Sequence, residues 1–135
     1  MSLSPQEALV YIMVMVSASD RRMSDEELGR IGSVVRNLPV FRDFSQEALT
    51  FVCGQCADAL DDDNGMNNVL HLIADTIPAK LRDTAYAVAV EIAAADLDIR
   101  PEEVRILELL RGHLKINKLT SAAIELAAQA RHRIV

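Results

Sequence analysis

Four carboxylates stand out by their spacing. Asp20 lies seven residues before Glu27, Asp96 lies seven before Glu103, and the second pair repeats the first 76 positions later. Carboxylate oxygens suit hard divalent cations, so Ca²⁺, Mg²⁺ or Mn²⁺ are the ions such a set would hold. The same acids could dock a basic partner. The ordinary alternative is that Glu27 and Glu103 cap helix starts, where a negative charge complements the helix dipole. Asp20 and Asp96 fall where helices end, and the dipole gives no help to a carboxylate there. They call for turn hydrogen bonds, a cation or a basic partner.

Other residues could also do chemistry. Cys53-Gly54-Gln55-Cys56 has the spacing of a redox or metal-binding pair. It sits within a helical pattern with no strand before it and no second ligand pair, so two small core residues one turn apart are the plainer reading. Asp61-Asp62-Asp63-Asn64-Gly65 is a dense acidic turn without EF-hand spacing, and reads as a solvated loop. Glu91 interrupts an apolar helix and needs either a solvent edge or a partner. His71, His113 and His132 are scattered, and no Glu-x-x-His occurs to suggest a di-iron bundle. Nucleophile-elbow, P-loop and His-Glu-x-x-His motifs are likewise missing from the sequence.

The elements that position these residues are themselves repeated. Residues 12–38 align without a gap on residues 88–114, each copy reading apolar helix, acidic turn, capped amphipathic helix. Seven helices are expected. The first opens with the capping box Ser4-Pro5-Gln6-Glu7, and the second with Ser24-Asp25-Glu26-Glu27. Pro39 stops the second. A third runs from Ser45 to about Leu60 and a fourth from about Met66 to Thr76. Pro78 opens a fifth that lasts to Ala95. A sixth runs from Pro101 to Leu114, with Arg100 in place of the capping Ser. A seventh runs from Thr120, as cap, to about His132. The first and fifth helices show no continuous polar face, which marks them as buried. The expected fold is an all-α, pseudo-symmetric bundle around these two central apolar helices, in one domain over residues 1–135.

Composition agrees. Half of the 135 residues are hydrophobic, there is no Trp, and the net charge is −6. That charge argues against nucleic-acid binding, which relies on clustered Lys and Arg. The basic run Arg131-His132-Arg133 reads as a complement to the last helix's dipole. The apolar runs are too short to span a bilayer, and no signal peptide is visible, so a cytoplasmic location is expected.

The doubled pattern SASDRRMSDEEL at 17–28 and AAADLDIRPEEV at 93–104 resembles the TerB family, the tellurite-resistance TerB proteins and the related domain preceding the J-domain in DjlA-type co-chaperones. The family pattern is Ala-Asp-Gly, an apolar residue, then a helix start with Glu seven residues after the Asp. Arg21 and Leu97 stand where the family has Gly, and Asp98 adds an acid to the second copy. The resemblance implies a helical bundle whose acids Asp20, Glu27, Asp96 and Glu103 bind a metal ion or a basic partner. It also implies a non-enzymatic role in tellurite and related stress responses, in membrane-associated complexes. Two other classes stay open: a small metal- or thiol-dependent enzyme using the carboxylates or Cys53 and Cys56, and a ligand-free homodimer.

Overall fold

The computed structural model describes residues 2–17, 23–95 and 100–135. Over these residues the chain forms seven α-helices and two short 3-10 turns, with no strand. The helices are α1 (Pro5–Ser17), α2 (Asp25–Asn37), α3 (Gln46–Asp61), α4 (Gly65–Thr76), α5 (Arg82–Ala94), α6 (Pro101–Leu114) and α7 (Lys118–Arg131). The 3-10 turns are Pro39–Phe41 and Ala79–Leu81.

Local sequence accounts for most of the helix starts. Ser4 and Glu7 form a reciprocal cap: the Ser4 N–H donates to Glu7 Oε1 at 2.8 Å, and the Glu7 N–H donates to Ser4 Oγ at 3.1 Å. Ser24 and Glu27 repeat this at α2, at 2.9 and 3.1 Å. Ser45 caps α3 by accepting from the Ala48 N–H at 3.0 Å. Each such cap occupies backbone N–H groups that have no partner inside the helix.

Two boundaries differ from expectation. Pro78 does not open α5 directly. It precedes the 3-10 turn, and α5 starts at Arg82 after Leu81 adopts a non-helical φ of −109° and ψ of 4°. The last helix starts earlier than Thr120. Asn117 is its cap, accepting from the Thr120 N–H at 2.8 Å, and α7 begins at Lys118. Lys115 ends α6 in the left-handed region with φ 57°, which shortens the connection to α7.

α1 and α5 are central, as their composition requires. Every α1 residue from Ala8 to Ser17 is buried, and α1 packs against α3, α4, α5 and α6. α5 packs against α1, α6 and α7 and buries Ala85, Tyr86, Val88, Ala89, Val90, Ile92 and Ala93. It keeps a half-buried edge at Thr84, Ala87, Glu91 and Ala94, so it is less enclosed than α1. Small residues on α5 allow close backbone approach, and burial of the aliphatic side chains supplies the main driving force for assembly. The repeat is visible in the element bounds: α2 begins at Asp25 and α6 at Pro101, 76 residues later. α2 and α6 each touch both central helices.

Candidate functional site

In sequence, the two acidic segments follow α1 and α5. Asp20 and Asp96 fall outside the described residues, as do Arg21, Leu97 and Asp98. The structure places Glu27 and Glu103 in the first turns of α2 and α6. These equivalent glutamates do different things. Glu27 is half-buried, and its Oε1 accepts the Ser24 N–H, closing the capping box. Glu103 is buried, and its Oε1 accepts from Arg100 Nε at 3.1 Å. Arg100 occupies the cap position without a side-chain cap bond to the helix. The second copy thus exchanges a backbone cap for a charge pair. A buried carboxylate needs such a partner, because desolvation of a lone charge is expensive. Among the described residues, no hydrogen bond or ion pair joins Glu27 to Glu103.

Asp25 and Glu26 are exposed beside Glu27, and Glu102 beside Glu103, so both helix starts present further carboxylates to solvent. At the end of α1, Ser17 is buried, and its hydroxyl has no hydrogen-bond partner among the described residues. Buried polar groups are nearly always satisfied, and among the described residues the Ser17 hydroxyl shares this exception with Gln55 Oε1 and Arg82 Nε. Among the described residues, no group of three or more His, Cys, Asp or Glu side chains is gathered closely enough to hold a metal on its own.

The paired central helices, each followed by an acid-rich helix start, agree with the doubled motif. The profile of the family described as "Tellurite resistance protein TerB" matches residues 6–126. The chain belongs to the TerB family. The matched span runs from the first turn of α1 into α7, so it takes in both acidic helix starts of this family domain. Neither a search of curated proteins nor one of solved structures found a match. Among the described residues of this TerB-family chain, no helix is long and apolar enough to cross a membrane.

The remaining candidates resolve by packing. Cys53 and Cys56 are buried free thiols on α3, and Cys56 Sγ donates to the Tyr11 carbonyl of α1 at 3.7 Å. Burial pushes both thiols up from their ordinary values. A thiol must ionise to attack or to bind metal, so this environment opposes the thiol-enzyme reading. Asp61 at the end of α3 and Asp62 and Asp63 in the turn that follows are all exposed.

Glu91 has found partners that lie far away in sequence. Its carboxylate accepts from Arg131 Nε at 3.1 Å and faces His132 Nε2, fastening the end of α7 to the edge of α5. Burial pushes this carboxyl up, but hydrogen bonds from His132 and Arg131 outweigh it and hold the group below its ordinary value. With a depressed folded value, the carboxylate's contribution is present above the ordinary carboxyl pKa of about 4.3 and is lost as pH falls through the folded value. Glu91→Gln is therefore expected to destabilise the protein by about 0.5–1 kcal/mol near neutrality, a modest effect because the pair is partly exposed. Urea unfolding of both proteins should show the difference shrinking towards zero as the pH is lowered through the acid range. A difference that persists unchanged in acid would show that the carboxylate charge is not its source.

Sequence reasoning missed a second network. The Tyr86 ring is buried on α5, its hydroxyl donates to Glu125 Oε2 of α7 at 2.5 Å, and Arg111 of α6 donates to both, at 3.1 and 2.8 Å. Burial and the Glu125 carboxylate push the tyrosine up to about 12, against the opposing pull of Arg111. The phenol thus remains a proton donor and pins three helices together. A cavity of about 450 Å³ lies between α2, α5 and the end of α7, lined by Val34, Leu38, Ala87 and Val88 together with Glu91 and Arg131.

Proposed function

We propose that this chain is a non-enzymatic binding module of a tellurite-resistance-like stress-response system in the cytoplasm. Its acidic surface, built on the starts of α2 and α6, takes a divalent cation or the basic segment of a protein partner, including one in a membrane-associated complex. Asp20, Glu27, Asp96 and Glu103 are the carboxylates assigned to it. Family membership supports the context. The chief local support is the buried Ser17 hydroxyl, an oxygen without a hydrogen-bond partner among the described residues, where the chain enters the first acidic turn. Hard cations favour such neutral oxygens alongside carboxylates. Glu27 and Glu103 each have one oxygen engaged in the contacts described above, so the exposed Asp25, Glu26 and Glu102 add to the negative potential that a cation or a basic segment meets.

Titration of Ca²⁺, Mg²⁺ or Mn²⁺ into chelator-stripped protein is expected to move the backbone amide signals of residues 23–28 and 100–104 together and to saturate. Ser17→Ala should weaken that response on the order of tenfold while leaving the unfolding midpoint nearly unchanged. No saturation at millimolar ion would remove the cation half of the proposal. If a Lys- and Arg-rich peptide at low salt also left the same amides unmoved, the proposal as a whole would fall.

A further inference from the structure

We infer that His71 and His113 form a two-imidazole surface site for a borderline transition-metal ion, Zn²⁺ foremost, that clips α4 to α6. The two residues are 42 positions apart, yet their ring centroids lie 5.2 Å apart with planes inclined at 58°. This spacing suits coordination. With metal–nitrogen bonds of about 2.0–2.1 Å at a tetrahedral angle, two bound imidazole rings place their centres roughly 5 Å apart.

The surroundings agree. His71 is exposed and His113 half-buried, so the pair is open to solvent on one side and supported on the other. Among the described residues neither ring has a hydrogen-bond partner, which leaves ring nitrogens available to a ligand. Both residues sit inside helices that pack together, so the pair is held by rigid elements rather than loops. Neutral imidazole prefers Zn²⁺, Ni²⁺ or Cu²⁺ to Mg²⁺ or Ca²⁺, and water fills the remaining coordination positions. This site is separate from the acidic helix starts in both position and ion preference, so either can fail without the other.

The test is addition of ZnCl₂ to the chelator-stripped full chain, reading the imidazole ring signals by NMR and the unfolding temperature. The ring signals of His71 and His113 should shift together and saturate, with His132 unmoved and the unfolding temperature raised. His71→Gln, at an exposed position that leaves the core intact, should weaken binding on the order of tenfold, and His113→Gln should do the same. MgCl₂ should leave both rings unmoved. Binding that survives His71→Gln, Zn²⁺ shifts located at Cys53 and Cys56 or at the acidic turns instead, or no response at millimolar Zn²⁺ would each overturn the assignment.

Discussion

Truncating Ile12 to alanine is expected to lower the unfolding free energy by about 2–5 kcal/mol. Ile12 is fully buried at the middle of α1, the most enclosed element of the bundle. Removing its outer carbons loses their transfer free energy and leaves a cavity. α3, α4, α5 and α6 pack around this helix, so little material can collapse into the gap without disturbing several interfaces at once. Urea unfolding followed by circular dichroism measures the change, with an unaltered denaturant slope showing that the folded state keeps its compactness. A loss below about 1 kcal/mol would mean that α1 is not clamped as the packing indicates. The consequence reaches the acidic turns, because α1 delivers the chain to one of them.

Gly65→Ala is the second large effect, and its cause is space rather than backbone freedom. An alanine Cβ at this position would meet the Ala59 carbonyl oxygen at 2.4 Å and the Leu60 carbonyl oxygen at 2.6 Å. Those atoms are backbone and cannot rotate aside. The turn is already tight: the Gly65 N–H donates to the Asp62 carbonyl at 2.9 Å, and Asn64 takes a left-handed φ of 60°. Forcing the α3–α4 corner open is expected to cost about 1–3 kcal/mol, as overpacking does elsewhere. Gly29→Ala is the matched comparison. That glycine lies inside α2 with nothing within 4 Å of a new Cβ, so alanine there should stabilise by roughly 0.5–1 kcal/mol. Thermal unfolding of the two variants should move in opposite directions, and equal behaviour would refute the steric account.

Helix identity was readable because local chemistry and burial agree along most of the chain. Ser4, Ser24 and Ser45 announce helix starts that the structure forms, and the unbroken apolar run of α1 announces its burial. Boundaries failed where two local signals compete. Asn117 and Thr120 are both good caps, and the structure uses Asn117, two residues after the left-handed turn at Lys115. Pro78 can precede either an α-helix or a 3-10 turn, and the placement of Leu81 decides between them. The site was readable only in part. The Ser24–Glu27 capping box and its loss at Arg100 are legible in the local sequence, yet nothing local foretells that Glu103 is buried and paired with the Arg100 side chain. Glu91 with Arg131 and His132, Tyr86 with Arg111 and Glu125, and His71 with His113 are contacts across 14 to 42 positions. Such contacts are made by packing, and no window along the sequence contains them.

The buried thiols of α3 make the chain its own stability gauge. A water-soluble thiol reagent reaches Cys56 only in molecules whose α3 has lifted away from α1, since the sulfur is fully covered and bonded to the Tyr11 carbonyl. When reclosing outpaces labelling, the modification rate tracks the fraction of chains transiently open at that interface. Cys53, three residues earlier and slightly less covered, samples the same motion from the flank of the helix. The two cysteines therefore turn the interior of this bundle into a readable clock, with no label to be engineered in.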